Sequence, residues 1–136
     1  PPRGPRECLD GLCFFPRVID KLRGALPGGA TAGYLPFTGL SYLWGRMLAI
    51  ELPDLQATIV DASDDAAVAI WLRERAGPRP YSEINQRLTT FRRADLPPAW
   101  RSTFEAIYPA ELRERYENFF DLIEADDRQI QQRAQI

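Results

Sequence analysis

Apolar side chains recur every three or four residues along most of this chain, and prolines separate the periodic segments. This spacing places the apolar side chains on one side of an α-helix. Proline at the first helical position costs no hydrogen bond, because that N–H has no partner within the helix. The twelve prolines therefore mark helix starts as well as loops. Convincing strand alternation is missing, so the sequence predicts an all-α fold.

The predicted architecture is an irregular bundle of six to eight short helices in a single domain over residues 1–136. Residues 1–13 are expected to form an extended, proline-rich arm. The proline pair at 97–98 is the strongest break in the chain and leaves a subdivision open. In that alternative, residues 1–95 form a core and residues 96–136 form a C-terminal helical appendage.

Several helix boundaries follow from capping residues and prolines. The expected starts lie at or just after Pro16, Thr38, Pro53, Ser63, Ser82, Pro97 and Pro109. The first helix is predicted to end near Leu26. The helix over 38–50 is apolar on nearly every side, which is typical of a helix buried in a core or against a partner. The last helix is expected to break near Asp121.

Composition excludes several classes of function. Seventeen basic residues stand against 19 acidic ones, and the pI is about 5.2, whereas nucleic-acid binders usually carry a basic excess. The chain has no histidine, so neither a Ser-His-Asp triad nor His activation of a cysteine can form. Pro36 and Arg46 interrupt the most apolar stretch, which argues against a membrane span. No catalytic residue and no cofactor is predicted.

The two cysteines, Cys8 and Cys13, lack the Cys and His partners that a structural zinc site needs. Two cysteines five residues apart are typical of free thiols in a reducing compartment. They are interpreted as small apolar residues rather than as a redox pair. Because no secretory signal opens the sequence, a cytoplasmic location is expected.

The densest group of charged residues lies on the first predicted helix. Arg17, Asp20 and Lys21 share one face, since steps of three and four residues bring side chains together, and Arg23 follows. An arginine fork and a lysine ammonium could bind a carboxylate or phosphate, with Asp20 orienting them. The alternative is a solvated helix face with one weak ion pair.

A second charged group lies near the C-terminus. Glu117, Asp121 and Glu124 could face one way and hold a hard cation through oxygen ligands. The spacing is not that of an EF-hand loop, and a solvated acidic face is favoured. These residues are therefore weak metal candidates.

Residues 11–24 resemble the signature of a bacterial family catalogued as domain of unknown function 5069. The matching residues are Gly11, Arg17, Ile19, Asp20, Lys21 and Arg23. Gly33-Tyr34 resembles a Gly-x-Tyr element of that family, shorter by one residue, and on this resemblance Tyr34 joins the candidate ligand contacts. The resemblance covers roughly residues 2–90. The resemblance implies no activity. Because it fixes residues of the first helix at set positions, a ligand site there becomes as well supported as a solvated face.

Three functional hypotheses remain. The leading one is a small cytosolic, non-catalytic binding module, in which Arg17, Lys21 and Arg23 contact an anionic small molecule or partner and Arg3 and Arg6 fold over the same site. The second is a structural protein that forms a homodimer through the apolar helix 38–50. The third is an enzyme based on carboxylates or a carboxylate-bound metal. The sequence favours binding over catalysis.

Overall fold

Short helices follow one another along the chain after one small β-hairpin. The structure is a computed structural model that describes residues 2–29 and 39–134. The elements in chain order are β1 (Cys8–Leu9), β2 (Leu12–Cys13), α1 (Phe15–Gly24), α2 (Leu40–Met47), α3 (Leu52–Asp61), α4 (Asp65–Ala76), α5 (Tyr81–Thr89), α6 (Arg101–Ile107), α7 (Ala110–Arg115) and α8 (Phe119–Ala134). Two 3₁₀ turns, Arg93–Asp95 and Pro98–Trp100, lie between α5 and α6. The prediction of a helical fold is confirmed.

The hairpin corrects the prediction of an extended arm over residues 1–13. Strands β1 and β2 pair antiparallel around Asp10 and Gly11, whose φ angles are 53° and 75°. Two positive φ angles define a type I′ turn, which Asp-Gly favours because both residues tolerate that conformation. The Asp-Gly pair between Leu9 and Leu12 was the available sequence signal for this hairpin.

Backbone contacts group the chain into two compact units, Pro1–Asn85 and Gln86–Ile136. The boundary falls within α5, so the proline pair at 97–98 lies inside the second unit. The assignment of residues 1–136 to one domain, and the alternative division at residue 96, stay predictions.

The core of the first unit is built on the apolar face of α1. Phe15, Val18 and Leu22 are fully buried, and the Phe15 ring lies 5.4 Å from the ring of Trp44 on α2. Helix α1 packs mainly against α3. The three- and four-residue spacing that predicted α1 thus corresponds to its buried side. Trp71 on α4 is only half-buried.

Two helix starts differ from the predicted caps. Asp64 caps α4 in place of Ser63, because its carboxylate accepts a hydrogen bond of 2.9 Å from the backbone N–H of Ala67. Helix α5 begins at Tyr81, so Ser82 lies within its first turn.

The second unit contains an interruption in the predicted last helix. Helices α7 and α8 are separated at residues 116–118 rather than near Asp121. The chain is extended there because Phe119 N–H bonds to the carbonyl of Phe91, while Arg92 and Asn118 form an isolated antiparallel bridge. Helix α8 then buries Phe119 and Leu122.

Within the described ranges, every helix is too short or too polar to cross a bilayer.

Candidate functional site

Helix α1 presents a charged side opposite its buried apolar face. Pro16 lies in the first turn, and Lys21 and Arg23 lie in the last turn, where cations interact favourably with the helix dipole. Asp20 and Lys21 are partly exposed and Arg23 is exposed. Arg17 is an exception, because only 5% of its surface reaches solvent. The structure therefore contradicts the interpretation of Arg17 as part of a solvated face.

Asp20 binds the arm that precedes the hairpin. Its carboxylate accepts hydrogen bonds from Arg3 Nε at 3.0 Å and Arg3 Nη2 at 2.9 Å, which is a two-pronged ion pair. The backbone N–H of Arg3 adds a third bond of 2.7 Å. Asp20 thus orients Arg3, which lies 17 residues earlier in the chain and which the leading hypothesis placed over the same site.

The other edge of the Arg3 guanidinium contacts α4. Arg3 Nη1 donates to Asp65 Oδ2 at 2.7 Å, and Arg23 Nη2 lies 3.9 Å from the other Asp65 oxygen. The hydrogen bonds that Arg3 donates to Asp20 and Asp65 raise the pKa of Arg3 further above its already high ordinary value. Arg3 is therefore a permanent positive charge held between two carboxylates.

Arg17 and Lys21 lie one turn apart on α1, and each donates a hydrogen bond to a group outside the helix. Arg17 Nη1 donates to the backbone carbonyl of Arg3 at 3.3 Å. Lys21 Nζ donates to Ser41 Oγ at 3.3 Å, and Ser41 is fully buried on α2. Arg17 therefore contacts the backbone of Arg3, Arg23 approaches the Asp65 carboxylate that binds Arg3, and Lys21 connects α1 to α2. We call Arg3, Arg17, Asp20, Lys21, Arg23 and Asp65 the α1 cluster.

A family model described as "Domain of unknown function (DUF5069)" matches residues 1–129. The chain belongs to this family. The predicted resemblance is confirmed, and the match extends well beyond the residues 2–90 that carried it. No curated protein and no solved structure matches the chain.

The remaining candidate residues of this DUF5069 domain are Tyr34 and the weak metal candidates near the C-terminus. Tyr34 is outside the described residues. Glu117 forms an ion pair of 2.6 Å with Arg93, and this bond lowers the pKa of Glu117. Asp121 is exposed on α8. Within residues 2–29 and 39–134, groups of three or more His, Cys, Asp or Glu placed to hold a metal ion are absent.

Two surface grooves of the DUF5069 domain were not expected from the sequence. One, of about 570 Å³, runs between the hairpin and α4. Arg73 in its wall is already engaged, since it pairs with Asp10 at 2.6 Å and lies 3.9 Å from the Tyr81 ring centroid. The other, of about 500 Å³, includes Tyr42 and Arg46 and lies between α2 and α3. Neither groove is lined by α1.

Helix α2 bears on the homodimer hypothesis. It buries Leu40 and Trp44 in its own unit and exposes Tyr42 and Arg46. Most of the apolar surface that suggested an interface is therefore core. Association of two chains stays a prediction.

Proposed function

We propose that this DUF5069 domain is a non-catalytic binding module for an anionic small molecule or an anionic group on a partner. The observation that carries the proposal is the arrangement of the α1 cluster around Arg3. Asp20 and Asp65 both bind Arg3, and the exposed Arg23 guanidinium lies 3.9 Å from Asp65. An added carboxylate or phosphate would accept charge-assisted hydrogen bonds from the Arg23 fork beside this group.

The burial of Arg17 supports a preorganised site. A buried guanidinium held by the Arg3 carbonyl has few conformations to lose when a ligand arrives, and such preorganisation increases affinity. Arg23 supplies the accessible side, because 46% of its side chain is exposed and Asp65 lies beyond hydrogen-bond distance. Its planar fork suits two oxygens of one oxyanion.

Binding is favoured over catalysis by the chemistry of the cluster. Both carboxylates are engaged with Arg3, which suits them to positioning rather than to proton transfer. The chain also has no histidine to act as a base near neutral pH. The enzyme alternative and the cytoplasmic location stay predictions.

Inorganic phosphate and succinate are suitable probes, because they separate the two oxyanion chemistries. We would titrate each into the ¹⁵N-labelled full chain at constant ionic strength and follow the amide resonances of residues 17–23. The expected result is a saturable shift with a Kd of about 1–10 mM for at least one anion. Arg23→Gln should weaken that Kd about tenfold, through loss of a charge-assisted hydrogen bond.

Arg46→Gln is the matched control. Arg46 is an exposed arginine on α2, so the substitution removes the same charge away from the α1 cluster, and its Kd should stay near that of the wild type. Shifts that fail to saturate at about 50 mM of either anion would contradict the proposal. Equal weakening by both substitutions would also contradict it, because it would indicate general electrostatic attraction.

A further inference from the structure

The two cysteines face each other across the hairpin. Cys8 on β1 is the register partner of Cys13 on β2. The N–H of Cys13 bonds to Asn85 Oδ1 at 2.8 Å, outside the ladder, and the next bond of the ladder runs from Phe14 N–H to the carbonyl of Glu7. The cysteines therefore occupy a non-hydrogen-bonded pair.

This pairing satisfies the backbone requirement for a disulfide. Cα atoms at a non-hydrogen-bonded antiparallel pair are about 4.5 Å apart, and bridged cysteines are usually about 4.4–6.8 Å apart. Side chains at such a pair lie on the same face of the hairpin. The Asp-Gly turn fixes this register, so closure of the bridge requires no slippage of the strands.

The two thiols differ in access. Cys8 is exposed, whereas 3% of Cys13 reaches solvent. An oxidant in solution therefore reaches Cys8 first. Cys13 lies opposite it on β2, where its thiolate can attack Cys8 Sγ once that sulfur has formed a mixed disulfide.

We propose that Cys8 and Cys13 are a modification site, a dithiol that a low-molecular-weight disulfide converts into an intramolecular cross-strand disulfide. The Cys8 thiolate attacks one sulfur of the small disulfide and releases the first small thiolate. The Cys13 thiolate then attacks Cys8 Sγ, which forms the Cys8–Cys13 bond and releases the second. The two cysteines lose two electrons, the small disulfide gains them, and the two cysteine protons pass through solvent to the released thiolates.

The second step has a characteristic dependence on pH. Desolvation, with a contribution from the nearby Cys8, raises the pKa of Cys13 to about 11, and Arg6 opposes this shift. Only the thiolate attacks. Below that pKa, each unit of pH raises the thiolate fraction about tenfold, so closure should accelerate about tenfold per unit between about pH 7 and 9.

Oxidised glutathione is the probe, added to the full chain and followed by intact-mass spectrometry after acid quenching. The expected product is a monomer lighter than the starting protein by two hydrogen atoms, formed through a glutathione adduct at Cys8. Dithiothreitol should restore the starting mass, because exposed cross-strand disulfides are readily reduced. Cys8→Ser should not react, and Cys13→Ala should stop at the adduct.

Alanine is chosen at position 13 because a serine hydroxyl would be buried there. If Cys13→Ala does not fold, the intact mass of the wild type after treatment with oxidised glutathione decides the outcome alone. A lasting glutathione adduct on the wild type at about pH 9 would overturn the proposal. A dimer bridged between two chains, or unreacted thiols, would do the same. A closure rate that does not change with pH would overturn the assignment of Cys13 as the resolving thiol. None of these results depends on anion binding by the α1 cluster.

Discussion

Replacement of Arg3 by methionine removes the group that joins α1, α4 and the N-terminal arm. The side chain donates two hydrogen bonds to Asp20 and one to Asp65. Methionine keeps much of the aliphatic volume but no donor. The backbone N–H bond from residue 3 to Asp20 can persist, so the substitution tests the guanidinium alone.

The size of the effect follows from the exposure of these groups. The Arg3 side chain is 35% exposed, and those of Asp20 and Asp65 are 22% and 28% exposed. Fully exposed ion pairs contribute about 0–1 kcal/mol, and breaking a buried pair costs about 3–5 kcal/mol. With solvent screening included, we expect Arg3→Met to lower the free energy of unfolding by about 2 kcal/mol.

Urea unfolding followed by tryptophan fluorescence measures this loss, and double-mutant cycles divide it between the two carboxylates. The coupling energy should be about 1 kcal/mol for Arg3 with Asp20 and about half of that for Asp65, because Asp20 accepts two of the side-chain bonds.

The control cycle uses Arg75 and Asp54, whose exposed side chains share one bond of 3.1 Å. We expect a coupling energy of about 0.3 kcal/mol there. If the coupling between Arg3 and Asp20 were no larger than this value, the reasoning from partial burial would be refuted.

Three further substitutions test other parts of the fold. Gly77→Ala should cost about 1–3 kcal/mol in urea unfolding, because φ 71° and ψ −160° belong to a region that almost only glycine occupies. Asn85→Ala should cost about 2 kcal/mol and speed amide exchange at Cys13, whose N–H would lose its partner. The third substitution is Glu117→Gln. In the wild type, the hydrogen bond from Arg93 lowers the pKa of Glu117. That bond therefore stabilises the fold at neutral pH, and its contribution is lost as pH falls through the folded-state pKa. The variant should therefore be less stable than the wild type at pH 7, with the difference vanishing in acid; a constant difference would be inconsistent with this pairing.

Local periodicity predicted the helices better than their ends. The prediction for α1 succeeded because its apolar spacing corresponds to one continuous buried face, with Phe15 and Leu22 fully buried. The cap of α4 was misplaced by one residue, since Ser63 and Asp64 are both good capping residues and only the hydrogen bond to Ala67 distinguishes them. The hairpin was missed although Asp10-Gly11 is a strong turn signal.

The candidate site was predicted only in part, because sequence spacing reveals neighbours on one helix. Sequence spacing identified the charged side of α1, which carries the adjacent residues Asp20 and Lys21. It could not show that Asp20 binds Arg3, 17 residues earlier, or that Asp65 completes the arrangement from 62 residues away. Such pairs depend on tertiary packing, and the burial of Arg17 depends on it as well.

The amide of Asn85 connects the two ends of the first unit. It accepts a hydrogen bond from Cys13 N–H and donates one to the carbonyl of Gly11, both at 2.8 Å, across more than seventy intervening residues. A hairpin forms within microseconds once its own residues are available, but this one is secured only after residue 85 has left the ribosome. During translation the first unit therefore stays incomplete until its last residue emerges, so nascent chains truncated before residue 85 should leave the hairpin exposed to proteases.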